Sequence, residues 1–161
     1  MKLHDVDIVC EQQIWGWSLG VLSLGKFAGN DVAIKKTKEV DPSERSMDEF
    51  VREVKMLDKF RFERIVHFYS SCSIRNHVMM MGFAPRESLM DCIKKPEEPS
   101  ADIKEKVMVD AAPGLAYLHA NGIPHRDIQP DNVIFFSFDQ VLEGNGKLND
   151  FGSSRNVNMR M

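Results

Sequence analysis

Two short stretches decide how this chain reads: His125-Arg126-Asp127-Ile128-Gln129-Pro130-Asp131-Asn132 and Lys147-Leu148-Asn149-Asp150-Phe151-Gly152. Each sets a carboxylate in a loop beside a β-branched or apolar run, and the first adds an amide five residues after Asp127. Upstream, Val32-Ala33-Ile34-Lys35 ends a run suited to a buried strand with a cation. Glu53 falls three residues after Phe50 and four before Leu57, so on a helix it projects from the apolar face. A buried charge needs a partner, and Lys35 is the obvious one. On spacing alone, though, a solvated charge at the edge of the stripe is the commoner role for a glutamate. Turn formation is likewise the commoner role for a lone loop aspartate.

With 161 residues, 43% of them hydrophobic and 28% charged, the chain can bury a core and reads as globular rather than disordered. A net charge of −3 and scattered lysines and arginines leave no footprint for nucleic acid or an acidic membrane. The three cysteines, Cys10, Cys72 and Cys92, have no metal-ligand spacing and no plausible pairing, which favours a reducing compartment. No apolar signal core and no run of transmembrane length occurs, so the expectation is a cytoplasmic protein.

The first third reads as strands: an alternation through Val6, Ile8 and Cys10, an apolar-rich segment over 21–27, and Val32-Ala33-Ile34 after a turn at Gly29-Asn30-Asp31. Ser46 with Glu49 forms a capping-box pattern that would open a helix striped by Phe50, Val54 and Leu57. Strands over 65–74 and 77–83 follow, with Arg75-Asn76 as their turn. A polar connector then leads to a long helix striped by Ile103, Val107, Ala111, Leu115 and Leu118. Pro113 falls inside that helix and deletes the bond to the Val109 carbonyl, a loss of about 3 kcal/mol. A short strand over 133–136, a Gly144-Asn145-Gly146 hairpin turn and a strand at Lys147-Leu148 close the pattern. The result is an α+β arrangement, strand-rich over 1–82 and mainly helical over 83–161, with a ligand cleft expected at the junction near Gly82.

By Val32-Ala33-Ile34-Lys35, Glu53, His125-Arg126-Asp127 with Asn132, and Asp150-Phe151-Gly152, in that order, the chain resembles the protein kinase superfamily. Gly114-Leu-Ala-Tyr-Leu-His119 and the run from Lys147 to Gly152 are most similar to its tyrosine-kinase-like serine/threonine group. The resemblance implies ATP and Mg²⁺ as cofactors, a protein as substrate or partner, and no nucleic acid or membrane. It makes Lys35 the ligand of the α/β-phosphates, Glu53 the carboxylate that positions it, and Asp127 the acceptor of the substrate proton. Asn132 and Asp150 become the metal ligands. Ile14, Gly20, Leu22, Ala33, Met81, Phe83 and Ile134 would surround the nucleotide, with Met81 ahead of a Gly82-Phe83-Ala84 hinge. Leu57, Phe68, His125 and Phe151 would stack as an internal column.

The chain also departs from that pattern. The glycine-rich loop reads Trp15-Gly16-Trp17-Ser18-Leu19-Gly20, keeping only the last of the three glycines that let backbone N–H groups approach phosphate. Gln129 stands where serine/threonine kinases carry a lysine, removing a cation from the transition state. The sequence runs nine residues beyond Gly152, so the resemblance implies half a domain with the 103–118 stripe exposed. Three readings follow: a phosphoryl-transfer enzyme, a pseudokinase-like binding module, or a non-autonomous kinase fragment.

Overall fold

The computed structural model describes residues 9–17, 20–37, 44–72, 77–85, 88–95, 100–136 and 146–154. It is an α+β fold of two compact units: Met1–Lys59 with His67–Phe83, and Phe60–Val66 with Ala84–Met161.

The first unit holds an antiparallel sheet of β1 (Val9–Trp17), β2 (Gly20–Phe27), β3 (Asn30–Thr37), β4 (Phe68–Cys72) and β5 (Val78–Gly82), in the order β1-β2-β3-β5-β4. The β2–β3 turn sits at Ala28 and Gly29, one residue ahead of the expected place, both with positive φ (48° and 82°). Such a pair matches the right-handed twist of a two-residue hairpin. Alternation splits β3 between two faces. Val32 and Ile34 join Met80 in an apolar cluster flanked by Phe27, Tyr69 and Val78. Ala33 and Lys35 lie on the other face, opposite Met81 and Met79 of β5.

Helix α1 (Glu44–Leu57) buries Phe50, Glu53, Met56 and Leu57. It begins two residues before Ser46, which therefore lies inside its first turn rather than capping it. The expected Arg75-Asn76 turn lies outside the described residues.

The second unit contains α2 (Leu89–Lys94), α3 (Ala101–Ala120), a 3-10 turn at Pro130–Asn132, and a two-stranded sheet of β6 (Val133–Phe135) and β7 (Gly146–Leu148). Helix α2 is too short for its periodicity to show, but Ser88 and Asp91 form a reciprocal capping box that starts it. The α3 stripe is not open, contrary to the expectation above. Val107, Ala111 and Leu118 are buried and Ile103 and Leu115 half-buried, with α3 packed on β7 and Gly114 close to Arg64, and the face left exposed carries Met108 (46%) and Val109 (61%) instead. Pro113 lies on that outer face, so the helix continues through it with the orphaned Val109 carbonyl on the solvent side.

Close approach explains the packing. An added Cβ at Gly114 would sit 2.7 Å from the Arg64 carbonyl oxygen, and one at Gly146 would overlap that of Val107. Gly146 is therefore buried at the start of β7 to let α3 in; Gly144 and Asn145 lie outside the described residues. Gly146→Ala should lower stability by about 1–3 kcal/mol in urea denaturation, because backbone rather than a flexible side chain blocks the methyl. Wild-type stability in that variant would show that α3 and β7 are not in this close contact.

Candidate functional site

Lys35 is on β3, an inner strand, paired with Leu22 on one side and Met79 on the other. Its ammonium donates to both carboxylate oxygens of Glu53, at 3.0 and 3.2 Å. The lysine side chain is 23% exposed and the glutamate side chain 9%. The two charges hold one another in place, each offsetting part of the desolvation the other suffers. The phase of α1 puts Glu53 there, since Phe50 one turn before and Leu57 one turn after are buried on the same face.

In the second unit the Asp127 carboxylate is ringed by neutral amides. Asn132 Nδ2 donates to its Oδ2 and to its backbone carbonyl, both at 2.9 Å. Gln129 Nε2 donates to both its oxygens, at 3.2 and 3.1 Å. Because the amide nitrogen of Asn132 faces Asp127, its Oδ1 is the atom left for a cation. Asp150, at φ 57°, accepts from the Gly152 N–H through Oδ1. An amide oxygen and a carboxylate are hard donors, as Mg²⁺ requires, and that ion needs few protein ligands. Among the described residues no cluster of three or more His, Cys, Asp or Glu could cage a softer metal.

His125 lies under this loop, with Nε2–H donating to the Asn149 carbonyl at 3.0 Å and its ring 5.0 Å from that of Phe151. Burial holds its imidazole below the usual 6.5, against the upward pull of that hydrogen bond and of the charges on Asp150 and Asp127.

Of the other residues singled out, Ala33 and Met81 are buried side by side across β3 and β5. Leu22 faces Lys35, and Gly20 opens β2 opposite Trp17. Ile14 is 40% exposed, at an irregularity in the β1–β2 pairing. Phe83 is half-buried just beyond β5. Ile134 lies in β6, bridged to Ser88. Leu57 and Phe68 are buried in the first unit, His125 and Phe151 in the second.

Sequence reasoning missed three features. Phe60 packs on Phe151 with centroids 5.7 Å apart. Ser154, fully buried, donates from Oγ to the His125 carbonyl at 3.1 Å. Asp110, buried on α3, takes an ion pair from Lys106 at 3.2 Å and another from Arg64 at 3.5 Å. Only Asp110 carried a signal, since it lies between Val107 and Ala111 on the apolar stripe as Glu53 does on α1.

Two measurements probe this chemistry. Lys35→Met takes the cation from a buried carboxylate and should cost about 3 kcal/mol in chemical denaturation, while adding Glu53→Leu should recover at least about half of it. A double variant no more stable than the single one would mean the pair contributes no coupling. For His125, a folded-state pKa below the unfolded value means the unfolded chain binds more protons below pH 6.5. Its contribution is therefore complete above that pH and is lost as pH falls toward the lower folded-state value. Thermal melts between pH 7 and about 5 should show this slope, and His125→Phe should flatten it.

The sequence profile of the protein kinase domain matches residues 17–161. The chain is 30% identical over 159 residues to a Dictyostelium discoideum protein named as serine/threonine-protein kinase gdt4, covering 98% of this chain and 10% of that one. It is 32% identical over 152 residues to an Acanthamoeba polyphaga mimivirus protein named as a serine/threonine-protein kinase/receptor, R818, covering 92% and 9%. Against the Dictyostelium discoideum protein named as serine/threonine-protein kinase drkB it is 30% identical over 141 residues, covering 85% and 20%. This chain thus spans between 9% and 20% of the length of these relatives. A profile match over most of the chain, joined to that identity, places it in the protein kinase family.

Proposed function

We propose that this chain carries the nucleotide-binding and catalytic residues of a serine/threonine protein kinase, transferring the γ-phosphoryl group of ATP·Mg²⁺ to a protein hydroxyl. The observation that carries the reading is the Lys35–Glu53 pair, a half-buried cation held by two hydrogen bonds on an inner strand. In this reading Lys35 binds the α/β-phosphates, and Glu53 keeps its ammonium extended toward them. Asp127 accepts the proton of the attacking hydroxyl, with Asn132 fixing its carboxylate. Asn132 Oδ1 and the Asp150 carboxylate would hold the metal, whose charge offsets that developing on the phosphate oxygens. Ile14, Gly20, Leu22, Ala33, Met81, Phe83 and Ile134 supply the nucleotide contacts. Residues 1–82 would supply the strand-rich lobe and 83–161 the helical one, except that 60–66 cluster with the second unit and Phe83 with the first.

Serine/threonine preference is supported by Pro130-Asp131 in the catalytic loop and by the names of the relatives. A place in the tyrosine-kinase-like group rests on the motifs alone. A cytoplasmic setting fits the free thiols of Cys72 and Cys92, and no described helix is long and apolar enough to cross a membrane.

A second reading, a pseudokinase-like module that acts through protein contacts, draws on one specific observation. The Gln129 amide donates to both oxygens of the carboxylate that must receive the substrate proton. The tryptophans in place of two loop glycines favour it too.

One preparation tests both. Trp15 and Trp17 are the only tryptophans, so their fluorescence should report nucleotide. Half-saturation with ATP·Mg²⁺ is expected at roughly 100 μM or above, since the loop lacks two glycines. Phosphate transfer to a generic protein substrate should be measurable, and Asp127→Asn should lower it by about 100-fold or more. Nucleotide binding with no transfer would establish the second reading. Neither binding nor transfer would overturn the first.

A further inference from the structure

Ser154 lies four residues beyond Asp150, and none of the roles above uses it. It is completely buried, and a buried hydroxyl left without a partner is costly. Its Oγ donates to the carbonyl oxygen of His125 at 3.1 Å, and its backbone N–H donates to the Phe151 carbonyl at 3.0 Å. The second bond closes a turn over residues 151–154, which sets where the hydroxyl points.

The carbonyl it reaches belongs to an unusual peptide. Fixing the His125 C=O fixes the plane of the His125–Arg126 peptide, and Arg126 then adopts φ 72°. That left-handed conformation is unfavourable for a residue with a Cβ and persists only where surroundings enforce it. The ring of the same histidine is held from a different atom, by Nε2–H donating to the Asn149 carbonyl. Residue 125 is thus held by its side chain and by its main chain, both from the 149–154 segment. The remaining links close a circuit. Asn132 Nδ2 donates to Asp127, and the Asn149 N–H donates to the Asn132 carbonyl at 3.0 Å. Every member of this circuit lies in the second unit.

We propose that Ser154 is a positioning residue, whose hydroxyl locks the His125–Arg126 peptide and so sets where Asp127 presents its carboxylate. The importance of that carboxylate rests on the proposed kinase reading; the structural lock does not. A serine that merely filled space would leave the loop unchanged when replaced by alanine. A serine acting as a lock would release it locally.

The test uses amide hydrogen exchange and side-chain amide NMR on the 161-residue chain, comparing wild type, Ser154→Ala and Ser154→Thr. In Ser154→Ala, exchange at the Asn132 and Asn149 amides should rise by about tenfold or more while α3 amides over 107–118 keep their protection. The Asn132 side-chain NH₂ signals, which report the bonds to Asp127, should shift or broaden. Ser154→Thr keeps a hydroxyl and should return both readouts to near wild type. The proposal is overturned by unchanged exchange and NH₂ signals in Ser154→Ala. Equal loss of protection in α3 would also overturn it, because the serine would then hold up the unit rather than the loop. So would a Thr variant that behaves like Ala. None of these readouts needs nucleotide or turnover, so a protein that transfers no phosphate still decides the matter. If transfer is measurable, Ser154→Ala should lower kcat several-fold with the KM for ATP unchanged, since Lys35 and Glu53 are untouched.

Discussion

An ammonium on an inner strand constrains everything around it. β3 has a strand on either side, and Val32 and Ile34 fill an apolar cluster on the face opposite Lys35. The lysine is only partly exposed, and a nearby carboxylate offsets its desolvation. That requirement fixes the rotation of α1: a helix turned by one residue would swing Glu53 by about 100° and bring Val54 or Arg52 toward the ammonium. Phe50 and Leu57, buried with Glu53 on one face, set the same phase by packing, and Phe50 also stacks on the ring of His77 at 4.8 Å. Packing and electrostatics therefore agree on one helix orientation, and such agreement between levels gives a single structure.

The second unit is ordered by different means. Among the described residues its loop carries no such ion pair at its centre; it is tied by amide and main-chain bonds, with two non-glycine residues, Arg126 and Asp150, at positive φ. Conformations of this kind are unfavourable alone, by about 1 kcal/mol or more each, and mark places where surrounding bonds over-determine the chain. The aromatic rings of Phe60, Phe151 and His125 supply a rigid floor under the loop. Below it, the Arg64–Asp110 contact and the Leu148 N–H bond to the Arg64 carbonyl tie the 60–66 segment to α3 and β7. A loop that must hold a carboxylate in one place gains from a base that does not move.

What could be read from residue order alone follows from this difference. The Lys35–Glu53 geometry was legible because both residues sit in periodic elements, where spacing dictates direction. The strands and both long helices were legible for the same reason. The outer cover of α3 was not: Ile103 to Leu118 announces an apolar face, but nothing local says that β7 and the 60–66 segment cover it. Gly146 misled because glycine beside Gly144 and Asn145 suggests a turn, whereas here it permits close approach of a helix. Ser154 and the Gln129 contact were invisible because hydrogen bonds between loops have no period. Asp110 could have been found, since a carboxylate on an apolar stripe asks for a cation wherever it occurs.

Gln129 shows how much one side chain can alter in such a centre. In the proposed transfer, a lysine there would place a full positive charge next to the phosphate, and preorganised charge is usually the largest catalytic contribution in this chemistry. The amide keeps the geometry of a donor, since one nitrogen reaches both Asp127 oxygens, but it brings no positive charge of its own. It is also exposed, so leaving Asp127 for water costs it little. In the proposed reading a substrate hydroxyl would displace it, and the transition state would gain no charge from its presence. In the proposed phosphoryl transfer, Gln129 would leave the base accessible but withhold a charge from the phosphate, and so act on the rate more than on binding.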